Sequence, residues 1–183
     1  MQNPKDEVTF VMIKPDGVKK GLVGEIIKRI EQRGLKIVRL EMIEPTRDEI
    51  VKHYPNSDEW LMRLGNKLLN NFAKFGYEPL AELGTTEPKA IGEQVKKWLV
   101  DYMTSGPVVK MIVQGPHAVA MVRKIVGPTI PADAEMGTIR GDFSVDSSAL
   151  STKEKRAVMN LAHASETSAE AANEIKLWFG VDK

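Results

Sequence analysis

The chain has 183 residues, 42% of them hydrophobic and 28% charged, with a formal net charge of +1; this suits one globular domain large enough to bury a core. A charge so near zero provides no overall field to draw in nucleic acid or an anionic membrane, so any anion site has to be local. Cysteine is absent, which excludes disulfides and thiolate zinc centres, and the polar residues Met1 to Glu7 lack the apolar core of a signal peptide while no apolar run approaches a membrane span, so a soluble cytoplasmic protein is expected.

Val8 to Ile13 is β-branched and apolar and predicts a buried strand, broken by Lys14-Pro15-Asp16-Gly17. Leu22, Val23, Ile26, Ile27 and Ile30 recur at helical spacing, with Gly34 as the stop. From Leu35 to Ile43, Val38, Leu40 and Met42 alternate with Arg39 and Glu41, predicting a strand with one wet face. Thr46-Arg47-Asp48-Glu49 is a capping box opening a short helix that ends near Tyr54. Residues 55–94 read as an inserted connection. Trp60, Leu61, Leu64, Leu68 and Phe72 give it one amphipathic helix closed by Gly76; a loop at Gly84 to Pro88 follows, then a helix from about Ile91 to Met103. Val108 to Val113 is the third strand. Gly115-Pro116 then opens a helix with Pro116 in its first turn, ended by Gly127. Pro128 to Phe143 reads as a long loop, a kind of segment that is usually functional in a small domain. A second, polar insertion covers about 144–156; a fourth strand spans Ala157 to His163; and the last helix starts at Thr167, with Glu170 completing a capping box, and reaches Trp178-Phe179. The order β-α-β-(α)-β-α-β predicts an α+β, ferredoxin-like βαββαβ arrangement: a four-stranded antiparallel sheet with helices on one face, plus an inserted helical segment, in a single domain over 1–183.

No GxxxxGK[ST], GxGxxG, HExxH, CxxC or GxSxG pattern occurs, and the three histidines His53, His117 and His163 lack metal-ligand spacing. If phosphate is handled, lysine and arginine side chains must do it, with any metal arriving on the nucleotide. Lys14 ends the first strand, Arg123 lies on an otherwise apolar helix, and Arg140 sits between Gly137 and Gly141, where backbone can approach a ligand and a guanidinium can grip phosphate. His163 ends an apolar run at a polar turn, a position for a nucleophilic imidazole.

Taken together, Lys14-Pro15-Asp16-Gly17-Val18 with Gly21-Leu22-Val23-Gly24-Glu25-Ile26-Ile27, then His53-Tyr54, Tyr102-Met103-Thr104-Ser105-Gly106-Pro107-Val108-Val109, Pro131-Ala132-Asp133, Gly137 to Phe143 and Asn160-Leu161-Ala162-His163-Ala164-Ser165 resemble the nucleoside diphosphate kinase family, in order from about Val8 to Phe179. The resemblance implies a phosphotransferase of nucleotide metabolism. It would pass the γ-phosphate of a nucleoside triphosphate to a nucleoside diphosphate, ping-pong, with Mg²⁺ on the nucleotide phosphates and none held by protein ligands, in a homo-oligomer (hexamer or tetramer). It makes His163 the phosphorylated nucleophile and a catalytic partner of Lys14. Glu174 becomes the carboxylate behind the imidazole and Ser165 its support; Lys14, Tyr54, Val95, Arg123, Thr129, Arg140 and Asn160 are placed around the nucleotide. Glu174 is expected to hold the imidazole pKa up.

The chain departs from the family where His163-Ala164-Ser165-Glu166 stands for His-Gly-Ser-Asp, and where Val95 falls at the usual aromatic platform under the base. Trp60 or Tyr77 of the connection could replace that platform, or the connection could extend a subunit contact. Two other readings stand beside transfer. One is an inactive, nucleotide-binding scaffold relative. The other is a ferredoxin-like RNA-binding domain, which wants aromatics on its strands, where only Phe10 is found. Neither nucleic acid nor membrane is an expected partner.

Overall fold

In the computed structural model, which describes residues 6–181, the chain groups into two units: residues up to 45 with 106–145 and from 159 onward, and residues 46–105 with 146–158. The first unit carries β1 (Glu7–Ile13), β2 (Lys36–Ile43), β3 (Val108–Gly115) and β4 (Ala162–Ala164). Among the described residues these form a four-stranded sheet in the order β2-β3-β1-β4, antiparallel at every pairing. Also in this unit are α1 (Pro15–Lys19), α2 (Val23–Gln32), α7 (Ala118–Val126), α8 (Ile139–Phe143) and α10 (Ser168–Phe179).

β1 is central and covered on both sides. Val11 and Ile13 pack with Ile26 and Ile30 of α2 and with Val122 and Val126 of α7. Phe10, on the other face by strand alternation, lies 6.3 Å from the rings of both Trp178 and Phe179 on α10. Helices therefore flank both faces, correcting the expectation of one, and this is why β1 reads as an unbroken apolar run. The edge strand β2 is wet on both faces, not on one. Leu40 and Met42 are 42% and 56% exposed, whereas Glu41 pairs with Lys110 at 2.9 Å and Arg39 stacks over Phe179. A register shift between Ile37 and Arg39 marks the irregularity of this strand.

Three further expectations change. α7 is preceded by His117 at φ 52°, so Pro116 lies before the helix and not in its first turn. Residues 128–143 hold a 3-10 turn at Pro131–Asp133 and α8, whose N-cap Thr138 accepts from Gly141 N–H. And β4 is three residues long, not seven, for a reason that belongs to the site.

The second unit consists of α3 (Arg47–His53), α4 (Asp58–Phe75), α5 (Pro79–Leu83), α6 (Pro88–Met103) and α9 (Ser148–Lys153). The Thr46–Glu49 capping box forms as predicted, and Gly76 ends α4 in the left-handed region. Leu68, Phe72 and Ile91 make one buried cluster in it, with Tyr77, Leu83, Val95 and Trp98 against them. α4 and α6 touch backbone to backbone: a Cβ on Gly65 would stand 1.8 Å from the Pro88 carbonyl oxygen, and one on Gly92 2.0 Å from that of Leu61. Among the described residues no helix is long and apolar enough to cross a membrane.

Candidate active site

The site begins with a turn. Leu161 has φ 69°, and Ala162 N–H donates to the carbonyl of Asn160 at 2.8 Å. That two-residue bond around a positive-φ centre makes a γ-turn of the rare, strained kind, in a residue type that costs of order 1–3 kcal/mol there. This turn cuts β4 short. Its main-chain groups are held from several sides. Lys14 N–H donates to Leu161 O at 2.8 Å, and the Asp16 carboxylate accepts from Leu161 N–H at 3.1 Å. The Arg140 guanidinium donates to Asn160 O at 3.0 Å, to Ala162 O at 2.6 Å and to Gly127 O at 2.8 Å. Gly17 permits the approach, since a Cβ there would sit 2.8 Å from Leu161 O.

On one side of the turn, Asn160 is buried and bridges two elements: its Oδ1 accepts from Lys14 Nζ at 2.7 Å and its amide donates to Thr129 O at 2.9 Å. On the other side stands His163, paired across the sheet with Met12 and 22% exposed at its side chain. Its Nε2 lies 2.7 Å from Glu174 Oε1, and Ser165 Oγ donates to Glu174 Oε2 at 2.6 Å. A carboxylate this close to Nε2 favours the tautomer with its proton there and the lone pair on Nδ1. Glu174 can do this because α10 starts five residues beyond the histidine. Thr167 Oγ1 accepts from Glu170 N–H, but the Glu170 carboxylate takes Glu166 N–H in place of Thr167 N–H, so the expected capping box is half-formed.

Lys14, Arg123, Thr129, Arg140, Asn160 and His163 line one cavity of about 960 Å³, together with Lys124, Glu135, Glu166 and Glu170. Burial, then the Arg140 charge, lowers the Lys14 pKa to about 7, Asp16 opposing. Burial, then Lys14, with Arg140 and Arg123 adding to it, holds the His163 imidazole well below its ordinary 6.5, Glu170 opposing. The expectation that Glu174 would keep that pKa up is thus overturned: removal from water and the surrounding cations dominate. Arg123 is exposed and 3.5 Å from Glu166.

Tyr54 and Val95 belong to the second unit. Tyr54 stacks with Trp60 at 6.1 Å and packs with His53 at 5.0 Å. Val95 is half-buried against the Leu68–Phe72–Ile91 cluster, as is Tyr77. Sequence reasoning missed Asp16, Lys124 and Glu170. Asp16 was in plain view inside the Lys-Pro-Asp-Gly turn; Lys124 reads as a cation suited to a helix C-terminus.

An imidazole backed by a carboxylate, at the head of a cation-lined cavity on a ferredoxin-like sheet, defines a class of histidine-centred proteins that handle anionic groups. The profile of the family described as "Nucleoside diphosphate kinase" matches residues 7–62 and 89–183. A nucleoside diphosphate kinase of Pyrobaculum aerophilum is 51% identical over 94% of each chain, and one of Archaeoglobus fulgidus is 39% identical over 97% of this chain and 89% of its own. The crystal structure of an NDP kinase from P. aerophilum superposes with a TM-score of 0.93 at 49% identity, covering 95% and 96% of the two chains. A transition-state mimic of nucleoside diphosphate kinase from Borrelia burgdorferi, with bound vanadate and ADP, gives 0.78 at 31% identity over 97% and 89%. The chain belongs to the nucleoside diphosphate kinase family.

Proposed function

We propose that this chain, acting as one domain over 1–183, moves the γ-phosphate of a nucleoside triphosphate to a nucleoside diphosphate in two steps through phosphohistidine on His163. The observation that carries this reading is the contact run Ser165–Glu174–His163, with Glu174 Oε1 2.7 Å from His163 Nε2, at the head of the cationic cavity. The Nδ1 lone pair attacks the γ-phosphorus; the N–P bond forms as the bond to the bridging oxygen breaks, and the diphosphate leaves with those electrons. A second diphosphate reverses the step with its terminal oxygen. As Nδ1 becomes bonded, positive charge grows on the ring and Glu174 offsets it, with Ser165 holding the carboxylate's other oxygen. Because burial keeps His163 neutral, the attacking form is present at ordinary pH. Lys14, Arg123 and Arg140 set positive charge around the transferring group, where preorganised charge stabilises the transition state most. Asn160 and Thr129 fix Lys14 and border the phosphates.

The donor set suits Mg²⁺ carried by the nucleotide. A protein cage would need several convergent carboxylates; of those on the cavity wall, Glu170 accepts from Glu166 N–H and Glu166 faces Arg123. Mg²⁺ would be held by the phosphate oxygens and its own waters, with Glu135 and Glu166 the exposed carboxylates able to meet those waters. When bound, it offsets phosphate charge. The family resemblance further assigns Tyr54 and Val95 to the nucleotide and makes the protein a homo-oligomer; the near-neutral charge and polar N-terminus support a cytoplasmic protein with neither nucleic acid nor membrane as partner. The vanadate and ADP held by the Borrelia relative support the transfer reading over an inactive scaffold.

The test is incubation with ATP labelled at the γ-position and Mg²⁺. An acid-labile, base-stable phosphoprotein should form, and any nucleoside diphosphate should discharge it. His163→Ala should lose both behaviours; a variant that keeps near-wild-type transfer would sink the reading.

A further inference from the structure

The Lys14–Gly17 turn does more than supply an amine. Leu161 is wholly buried and held at positive φ, a backbone for which leucine carries no local preference. Something distant has to impose it. Four groups do. Lys14 N–H and the Arg140 guanidinium bind carbonyls of the turn, and Arg140 is itself buried. The side chain of Leu161 anchors in the core with Ile13 and Val109. The fourth, and the one that binds the turn's N–H group at its centre, is Asp16, across 145 residues of chain. The turn is also where aim is set: one residue before it, Asn160 grips Lys14 Nζ, and two residues after it His163 meets Glu174.

We infer that Asp16 is a positioning residue for phosphoryl transfer: its carboxylate, by accepting the Leu161 N–H, holds the γ-turn that aims Asn160 and His163 at one phosphate. This rests on the function proposed above. A carboxylate is suited to the task because an ionised acceptor binds an amide N–H more tightly than a neutral one does. The geometry asks only for an acceptor oxygen in that place. Asparagine, with the same shape and one such oxygen, should therefore serve, whereas alanine should not. Loss of the acceptor lets Leu161 relax out of positive φ, and a shift of about 1 Å at a reacting atom lowers turnover by about a hundredfold. Nucleotide affinity rests on Lys14, Arg123 and Arg140 and should change far less.

The experiment compares wild type, Asp16→Asn and Asp16→Ala. In Asp16→Ala, kcat should fall by about ten- to a hundredfold with KM for the diphosphate within about threefold, and Asp16→Asn should recover kcat to within about threefold of wild type. Two-dimensional NMR of the His163 ring nitrogens should show a displaced Nε2 shift in Asp16→Ala alone. Amide exchange adds a measurement independent of activity: Leu161 N–H should be protected in wild type and in Asp16→Asn. Asp16→Ala with kcat within threefold of wild type, Asp16→Asn as impaired as Asp16→Ala, or a Leu161 amide that exchanges at the rate of an open loop would each overturn the assignment. If Asp16→Ala does not fold, the Asp16→Asn kinetics and the exchange data decide. A wild type that forms no phosphoenzyme would instead refute the proposed function, with the exchange result still able to stand.

Discussion

Replacing Lys14 by methionine should stabilise the fold while it disables the site. In the folded chain Lys14 titrates near 7, first because it is buried and then because Arg140 is close, against an ordinary value of 10.5. Folding thus disfavours the ammonium. The sign follows from proton binding. Below about pH 7 both folded and unfolded chains carry the proton, and the full penalty for burying the charge is present. Between about 7 and 10.5 the unfolded chain holds more protons than the folded one, so stability rises with pH and the penalty fades, vanishing above 10.5. The displacement from 10.5 to about 7, at about 1.36 kcal/mol per pH unit, amounts to about 5 kcal/mol at pH 6. Methionine removes that penalty but deprives buried Asn160 Oδ1 of its donor, at about 1–3 kcal/mol. The net expectation is a gain of about 2–4 kcal/mol at pH 6, shrinking to nothing or reversing by pH 9.5, with transfer lowered by about a hundredfold or more. Urea unfolding of both proteins at matched protein concentration, from pH 6 to 9.5, measures the difference directly. A variant less stable than wild type at pH 6, or a difference that does not change with pH, would refute the argument.

Two other substitutions test other links. Glu174→Gln keeps an acceptor for His163 Nε2 and loses the charge; the gap between charged and neutral hydrogen bonds, about 1–1.5 kcal/mol, predicts a fall in kcat of about tenfold with KM little changed, and an unaltered kcat in steady-state assays would show that the carboxylate charge plays no part. Gly92→Ala would push a Cβ to 2.0 Å from the Leu61 carbonyl oxygen, which backbone cannot evade cheaply; a loss of about 1–3 kcal/mol should appear as a lower thermal midpoint, and an unchanged midpoint would contradict the close packing of α4 on α6.

Long periodic segments were legible in the sequence. α2, α4 and the Thr46–Glu49 cap announce themselves by spacing and cap chemistry, and the colinear motifs by themselves pick out Lys14, Arg140, Asn160 and His163. The short helices were not legible: α1, α5 and α8 have five residues each, too few for a 3.6-residue period to show. β2 misled because its alternation is real while its environment is not that of a half-buried strand. It lies at the sheet edge, and its charged residues find Lys110 and Phe179. The length of β4 was misread for a different reason. Ala157 to His163 has strand composition, and the γ-turn that interrupts it is imposed from Lys14, Asp16 and Arg140, through contacts no local window contains.

That long-range origin also explains why two cations of one site should respond differently to replacement. Lys14 contributes to the turn through its main-chain N–H, which any residue at that position retains except proline. Its side chain serves Asn160 and the cavity. Arg140 contributes through its guanidinium, binding the carbonyls of Asn160, Ala162 and Gly127, and the same group supplies charge at the cavity. Removing it unpins three buried or half-buried carbonyls as well as a cation, so its loss mixes misplacement of His163 with lost electrostatic stabilisation. Lys14→Met changes charge and leaves the turn's backbone bonds in place. The energetics of the site are therefore better read from the lysine than from the arginine, even though both line the same cavity.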